Sequence, residues 1–426
     1  MTSSNSGSGE KLGFQATWSM AVGGMVGGGI FSTLGVVIGI SGRLAWLSFV
    51  AAGLIAMLAG YSYAGLAKRF GEGGGAFTFL REIDAYSFAG SLAWILIVGY
   101  VLTNAVYAFT FGEYVNHVLG LGPLGARAAA VIILLVFIGV NLLGTGEAGG
   151  VEVFLVWFKL AVLMGLAGVG IARWNPELLS RGVPDATVPD AVFGAAAVFM
   201  AYEGFQLLTY DYEDIRDADR TLPRAILSAI AVVIFVYVAV ALGTAMLIGA
   251  DQIVANQEVA LSIAGQNAFG TAGLVVVTIA AAFSTGSAIN ATLFATARLS
   301  HDVARAGELP SVVEHRNREG VPDRAVITLG LLAALFASIG SLSSLVESAS
   351  LAFLFTFCVV CAVAYRERVG SRWLTGAGAG GAGAATLALV VRLSRTAPVA
   401  LALFAGIVVL VLVGRPLILR HVDTDS

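Results

Sequence analysis

Twelve long apolar runs account for most of this chain, and each is long enough to cross the roughly 30 Å hydrocarbon core of a bilayer as a helix. No soluble domain could bury the apolar surface of 426 residues that are 58% hydrophobic and only 12% charged. We therefore predict an all-α polytopic membrane protein with about 12 transmembrane helices. The runs lie near 14–39, 44–66, 87–119, 124–144, 151–173, 190–210, 224–249, 270–298, 325–343, 345–365, 373–391 and 397–414.

Basic residues are unevenly divided between the two sides of this helix array. If both termini are inside, seventeen of the 24 lysines and arginines fall in inner loops and tails and six in outer loops. Cytoplasmic loops carry the excess of such residues, so both termini are expected in the cytoplasm and the chain in the cytoplasmic membrane. Residues 1–12 are expected to be a disordered cytoplasmic tail rather than a signal peptide, because no basic n-region or cleavage site opens the chain.

The first run contains five glycines in nine residues, from Gly23 to Phe31. Each glycine lowers helix propensity by roughly 1 kcal/mol relative to alanine. Loosened backbone is tolerated in a membrane only where it is buried in protein or lines a wet cavity. The sixth run has polar residues and a glycine at its middle, in Tyr202-Glu203-Gly204. We predict that both helices are broken and present bare backbone groups to a ligand; the alternative for the glycines is close helix crossing.

The two irregular segments lie five helices apart, which is the spacing that two inverted five-helix repeats would give. This spacing predicts a first repeat at 13–173 and a second at 174–372. Two accessory helices at 373–418 and a cytoplasmic tail at 419–426 would complete the chain.

Four segments resemble, in order, those of the amino acid–polyamine–organocation superfamily of transporters. The first, Met25–Phe31, resembles the first-span pattern of that family, with Gly28 in place of the usual serine or threonine. The others are Gly71–Phe77, which lacks the usual proline, Asp211–Ile226 and Arg298–Pro310. The resemblance implies a leucine-transporter-like fold with 5+5 inverted repeats and uptake or exchange of amino acids or related amines.

The resemblance also implies how a substrate is held. Amides at the start of a half-helix suit an anion, so the amides of Gly27, Gly28 and Gly29 would bind the substrate carboxylate. Unwound carbonyls are natural acceptors for its ammonium group. The positions implied for these carbonyls are Met25, Met200 and Ala201, with Tyr202 as a wall residue.

Glu203 has three interpretations, because a carboxylate at mid-membrane is costly and usually functional. It could pair with a cationic group of the substrate, or it could be a protonatable group. It could also be a structural partner of Lys159 or of a tyrosine hydroxyl. Gln206 stands where the family often has glutamate, so the acidic group could have moved by one turn.

Lys159 is the one lysine inside a predicted span, and the resemblance places it where sodium-coupled relatives hold a sodium ion. Its ammonium would bridge carbonyls near Val22–Met25 and hydroxyls of the eighth run, with Ser284, Thr285 and Ser287 as candidates. Desolvated lysines exchange protons readily, so a proton-coupled cycle without sodium is expected. The alternative is a lysine that extends to the membrane interface.

These features predict a secondary active transporter that imports amino acids by alternating access, coupled to protons. The expected partners are an amino acid or amine, protons and the lipid bilayer. An alternative is a transporter or exchanger of cationic amino acids or polyamines that uses Glu203, and a more distant one is a non-transporting amino acid sensor. No motif indicates an enzyme, a metal site, a cofactor or nucleic-acid binding.

Overall fold

The computed structural model describes residues 11–144 and 149–409. Within these residues the chain is almost entirely helical, and its one extended pairing is a parallel bridge between Leu12 and Ile215. The helices of the described part are α1 Phe14–Ser41, α2 Ala45–Phe70, α3 Gly75–Arg81, α4 Tyr86–Leu119, α5 Gly122–Leu142, α6 Gly149–Ala172, α7 Val188–Ala197, α8 Ala218–Ile248, α9 Ala250–Ala255, α10 Ala260–Arg305, α11 Asp323–Ile339, α12 Leu342–Arg366, α13 Arg372–Thr396 and α14 Pro398–Val409.

Each of the twelve predicted runs coincides with a helix, or with a helix and the short turns that follow it. In the described residues, eight segments are long and apolar enough to cross a membrane, and one of these joins α1 and α2 as Phe14–Phe70. The all-helical, polytopic class is therefore confirmed. The number of twelve spans and the 5+5 repeat stay predictions.

The predicted break in the first run is wrong for this structure, because α1 is one continuous helix from Phe14 to Ser41. Helix–helix packing explains why the glycines do not interrupt it. A Cβ added to Gly27 would lie 2.5 Å from the Cβ of Ala288, and one added to Gly24 would lie 3.0 Å from the Cα of Gly204. The glycines admit neighbouring chain segments to the α1 backbone, as in the helix-crossing alternative.

The predicted irregularity in the sixth run is present. Helix α7 ends at Ala197, and two 3-10 turns follow at Phe199–Tyr202 and Phe205–Thr209. Between these turns Glu203 is extended, with φ −67° and ψ 147°. Gly204 has φ 125°, a conformation that favours glycine because it has no Cβ.

The predicted tails fall largely outside the described residues, as do 410–418 of the second accessory helix. Leu12, which was assigned to the N-terminal tail, is ordered. Its N–H donates to the carbonyl of Asp214 at 2.8 Å, and its carbonyl accepts from the N–H of Arg216 at 2.9 Å. These bonds attach the start of α1 to the segment that follows the sixth run.

Helix α1 lies at the centre of the bundle and packs against α4, α6, α8 and α10. The residues from Met25 to Ile38 are all buried. Polar side chains of the surrounding helices can therefore reach the backbone of α1 only at its glycines or carbonyls. This arrangement brings the predicted site residues together.

Candidate functional site

The three glycines predicted to bind a carboxylate are covered by different neighbours. A Cβ on Gly28 would lie 1.9 Å from Cδ1 of the Tyr107 ring, and one on Gly29 would lie 2.3 Å from the hydroxyl of Tyr237. Ala288 covers Gly27 in the same way. Their amides lie within a continuous helix, whose N–H groups bond to carbonyls four residues earlier. In this conformation the predicted anion site is closed.

Side chains from three helices donate to carbonyls of α1 along this stretch. Lys159 Nζ lies 3.0 Å from the Gly23 oxygen, and Ser284 Oγ lies 2.9 Å from the Val26 oxygen. The Tyr237 hydroxyl lies 2.7 Å from the Met25 oxygen. In an α-helix these carbonyls also accept from the amides at positions 27, 30 and 29. The three carbonyls would therefore keep a donor if the helix opened and released those amides.

The carbonyls of Met25 and Ala201 converge on one side chain, although the two segments are far apart in sequence. Tyr237 on α8 lies between them, with its hydroxyl 2.7 Å from each oxygen. A tyrosine hydroxyl has a single proton, whereas an ammonium group has three. The pair of carbonyls can therefore accept more hydrogen bonds than Tyr237 supplies.

Met200 and Tyr202 take other partners. The Met200 N–H donates to Ser350 Oγ at 3.0 Å, and its carbonyl accepts from the N–H of Glu203 at 2.9 Å. The Tyr202 hydroxyl donates to the carbonyl of Phe49 on α2 at 2.7 Å. The structure thus unites Met25 and Ala201 but does not bring Met200 to the same point.

Glu203 is enclosed and hydrogen-bonded on both oxygens. Its Oε2 accepts from the Tyr107 hydroxyl at 3.3 Å, and its Oε1 accepts from Gln206 Nε2 at 3.0 Å. The residue is 1% exposed. Of the three interpretations, the tyrosine-partner geometry is the one present in this conformation.

Gln206 is itself fixed in orientation. Its Oε1 accepts from the N–H of Gly204 at 2.9 Å, so its amide nitrogen must face the other way. That nitrogen donates both to Glu203 and to the hydroxyl of Tyr100, which lies 3.2 Å away. The cluster therefore joins α4 to the sixth segment at its irregular point.

Of the predicted coupling residues, Lys159 and Ser284 reach α1, whereas Thr285 donates to the Ala281 carbonyl of its own helix at 2.8 Å. Ser287 lines a nearby cavity. Lys159 is 2% exposed and its ammonium group is bonded within the bundle. The alternative in which it extends to the membrane interface is therefore wrong.

A cavity of about 660 Å³ extends into the bundle from the end at which α1 begins. Its mouth includes the exposed charged residues Lys11, Asp214 and Arg316. Its inner end reaches Gly24 and Gly204, and Gly24 lies about 15 Å along α1 from the first residue of the helix. Water and small solutes on this side thus come close to the site, while its buried residues lie beyond the end of the cavity.

An ion pair lies on the wall of this cavity. Arg298 Nη1 donates to Asp211 Oδ1 at 2.9 Å, which joins α10 to the segment after the sixth run. Burial raises the pKa of the Asp211 carboxyl above its usual value, although the charge and hydrogen bond of Arg298 oppose this. The pair therefore links the two segments at the wall of the cavity.

Chain segments pack over the opposite end of the site. Gly35 on α1 packs against Gln257, whose Cβ would lie 2.2 Å from an added Cβ. Arg181 bonds to Asp251 at 2.8 Å and to the Ile248 carbonyl at 2.6 Å, which fixes the segment around α9. These contacts pack the segment around α9 against the end of the site that lies opposite the cavity of about 660 Å³.

The sequence did not identify Tyr237, and it assigned no role to Tyr107. A lone tyrosine in the apolar run of α8 is a weak signal, since core aromatics are common in such runs. Ser350 was missed because a single serine in an apolar run is also a weak signal. In the described residues, no group of three or more His, Cys, Asp or Glu could hold a metal ion.

Comparison with known proteins shows the family to which this chain belongs. The sequence profile of the amino acid permease family matches residues 12–417. An uncharacterized protein of Methanocaldococcus jannaschii is 30% identical over 369 residues, which cover 85% of this chain and 84% of the relative. The inner membrane transport protein YbaT of Escherichia coli is 30% identical over 378 residues, with 86% of each chain covered.

A third relative is the serine/threonine exchanger SteT of Bacillus subtilis, which is 23% identical over 316 residues and covers 73% of this chain and 72% of its own. The family match spans nearly the whole described chain and includes every residue of the site. The chain therefore belongs to the amino acid permease family and is a multi-pass membrane transporter, not an enzyme.

Proposed function

We propose that this protein imports amino acids across the cytoplasmic membrane by alternating access. The observation that carries the proposal is the convergence of the Met25 and Ala201 carbonyls next to the glycine amides of α1, close to the end of an open cavity. An amino acid offers an ammonium group to the carbonyls and a carboxylate to the amides. The two ends of one small molecule thus match two neighbouring sets of backbone groups.

Binding requires α1 to open locally at Gly27 to Gly29. Lys159 and Tyr237 support this step because they already donate to the carbonyls of Gly23 and Met25, whose helical partners are the amides of Gly27 and Gly29. Opening then releases amides for the carboxylate without leaving those carbonyls unsatisfied. The broken first helix predicted from the sequence is, on this proposal, the substrate-bound form.

Coupling to protons is the proposed energy source, with Lys159 as the coupling group. Its ammonium group is buried and bonded to the Gly23 carbonyl. Gly23 also lines the cavity, so this carbonyl is near solvent on one side of the membrane. When protonated, Lys159 supplies the charge that a bound sodium ion would otherwise provide, and loss and recovery of its proton would couple the cycle to protons.

The bias of basic residues supports cytoplasmic termini, and the cavity opens at the end where α1 begins. This conformation is therefore proposed to face the cytoplasm, ready to release substrate there. A neutral amino acid is favoured as substrate. Both Glu203 oxygens already accept hydrogen bonds within the protein, and one relative is named as an exchanger of serine and threonine.

The test uses purified protein in liposomes with an inward proton gradient and radiolabelled amino acids. The wild type is expected to accumulate a neutral amino acid without sodium, and Lys159→Ala is expected to lose the dependence of uptake on pH. Lys68→Ala is the matched control, since Lys68 is an exposed lysine near the end of α2. Sodium-dependent uptake, or unchanged pH dependence in Lys159→Ala, would contradict the coupling proposal.

Two other outcomes would indicate a different function. Ligand binding without accumulation or exchange of any amino acid would indicate a sensor. Uptake restricted to lysine, arginine or polyamines, and lost in Glu203→Gln, would indicate the cationic alternative.

A further inference from the structure

Gly28 departs from the family pattern, and the structure supplies a physical reason. The space that a serine or threonine Cβ would take at this position is filled by the Tyr107 ring, whose Cδ1 and Cε1 lie 1.9 Å and 2.2 Å from an ideal Cβ. Any side chain at position 28 would force Tyr107 out of its present position. Gly28 and Tyr107 therefore fit together as a pair.

The position of Tyr107 has a consequence for a ligand. Its ring lies directly on the α1 backbone at the middle of the three glycines whose amides are proposed to bind a carboxylate. A carboxylate and the ring cannot occupy this place together. Ala288 at Gly27 and the Ala201 backbone at Gly29 cannot rotate away, and Tyr237 at Gly29 lies 2.7 Å from two carbonyl oxygens. Tyr107 can turn about two side-chain torsions and is held by one longer bond.

The hydroxyl of Tyr107 is held at one point. It donates to Glu203 Oε2 at 3.3 Å, which is long for an O–H···O hydrogen bond and therefore weak. The other oxygen of Glu203 is held more firmly by Gln206, which is in turn fixed by the Gly204 N–H. Glu203 is therefore held in place by Gln206, whereas the weak bond from the Tyr107 hydroxyl can break.

Within residues 11–144 and 149–409, Glu203 has no basic partner that would explain its presence. Among the residues that the structure describes, no lysine, arginine or histidine nitrogen lies within 4.0 Å of its carboxylate. The groups that face it are the hydroxyls of Tyr107 and Tyr100 on α4 and of Tyr237 on α8, with Tyr210 on its own segment. Its direct bonds are those to Tyr107 and Gln206.

We propose that Tyr107 is a substrate-displaced gate over the carboxylate end of the site, and that Glu203 is the latch that holds the gate closed when the site is empty. The proposal rests on the proposed function, since it takes the displacing ligand to be the α-carboxylate of an amino acid. Binding breaks the Tyr107–Glu203 bond and moves the ring from Gly28. The latch therefore opposes binding, and a molecule without a carboxylate has nothing to offer the amides in exchange.

The test measures affinities of the wild-type transport substrate for purified full-length protein by thermal shift and by uptake in liposomes. Tyr107→Phe keeps the ring and removes the latch bond, so its Kd and KM are expected to fall about threefold to tenfold, the range of one weak hydrogen bond. Tyr114→Phe is the control. Tyr114 is buried on the same helix, and its hydroxyl has no hydrogen-bond partner. Its affinity is expected to stay within about twofold of wild type.

The partner side is tested with Glu203→Gln, in which the amide oxygen can face Gln206 and its nitrogen can donate to the Tyr107 hydroxyl. The latch is kept but loses its charged acceptor and so weakens, and the affinity for the neutral substrate is expected to rise above that of wild type by less than in Tyr107→Phe. Glu203→Ala removes the latch and should raise the affinity as Tyr107→Phe does, with no further gain in the double variant.

The outcomes separate the alternatives. Weaker binding in Tyr107→Phe would mean that the hydroxyl contacts the substrate, and the gate would be wrong. Equal affinities in Tyr107→Phe and Tyr114→Phe would also overturn it, as would loss of substrate binding in Glu203→Gln. A wild type that binds and transports no amino acid would refute the proposed function itself, before any variant is compared.

Discussion

The first and sixth segments meet at Gly24 and Gly204, yet the first is a continuous helix and the sixth is broken. Glycine content does not explain this difference, because the continuous segment has five glycines in nine residues. The sixth segment differs in that other groups supply its missing helical bonds. Ser350 accepts from Met200 N–H and donates to the Ala197 carbonyl, and the Gln206 side chain accepts from Gly204 N–H. A break inside a membrane thus depends on replacement partners more than on glycines.

On α1 such replacement partners are described for backbone carbonyls but not for backbone amides. Three carbonyls have side-chain donors in addition to their helical ones, whereas the amides at Gly27 to Gly29 have no substitute acceptor among the contacts described above. A substrate carboxylate would supply that acceptor. On the proposed function, the break in the sixth segment is permanent because its partners come from the protein, whereas α1 would open only when a ligand supplies the missing acceptor.

The largest expected effect tests the permanent break. Gly204→Ala adds a Cβ 2.6 Å from the Gly24 carbonyl carbon at a residue with φ 125°. Strain and overlap should lower the free energy of unfolding by about 2–4 kcal/mol and abolish uptake. Gly139→Ala is the control, since nothing lies within 4 Å of its added Cβ on α5. Apparent Tm values in detergent and uptake in liposomes measure both effects, and a Gly204→Ala protein that transports normally would contradict this account of the contact.

A smaller loss of stability is expected when the Ser350 hydroxyl, which bridges the break in the sixth segment, is removed. Ser350→Ala leaves the buried Met200 N–H without its acceptor and the Ala197 carbonyl without a donor. Such losses lower stability by about 1–3 kcal/mol. Ser300→Ala removes a buried hydroxyl that has no hydrogen-bond partner, and should leave the Tm nearly unchanged. Equal shifts in the two variants would show that Ser350 does not support the break.

Tyr237→Phe tests the connection between the two segments. The Met25 carbonyl keeps its helical donor, so the expected loss of stability is only about 1 kcal/mol. The effect on transport should be larger, because the carbonyls of Met25 and Ala201 lose the hydroxyl that lies between them. Tyr63→Phe is the control, with a buried hydroxyl that has no partner. A lower uptake rate with a nearly unchanged Tm is the expected pattern, and the reverse pattern would assign Tyr237 a purely structural role.

The smallest effect is expected at the covered end of the site. Burial alone would raise the pKa of Asp251, but the hydrogen bond and charge of Arg181 lower it below its usual 3.8. The pair therefore stabilises the fold at neutral pH, and this contribution disappears as the pH falls through the lowered pKa. Both side chains are partly exposed, so Asp251→Asn should lower stability by less than about 1 kcal/mol at pH 7. Unfolding curves at pH 7 and pH 3 check this against the exposed Asp185→Asn, and an equal difference at both values would contradict it.

The helices could be predicted closely from the sequence because the length of an apolar run reports directly on the bilayer. The sixth segment was also predictable, since Glu203 and Gly204 are out of place in a lipid-facing helix. The conformation of α1 was not, because glycine favours both a loose backbone and close packing. Close packing prevails at Gly27 and Gly28 because Ala288 and Tyr107 fill the space next to them. Both of these residues lie far away in sequence.

Dependence on contacts between residues that are far apart in sequence also explains which site residues could be predicted. Met25 and Ala201 were predicted through the family pattern, and the fold brings their carbonyls to one hydroxyl. Tyr237 and Ser350 act through single bonds to backbone atoms, and their side chains look ordinary in an apolar run. Their roles depend on which carbonyl or amide they face, and that is a property of the packed bundle alone.

The bridge between Leu12 and Ile215 ties the start of α1 to the chain just after the sixth segment. While it holds, neither segment can swing outward without pulling the other. On the proposed transport cycle, a movement of either segment at this face would therefore be transmitted to the other through this bridge.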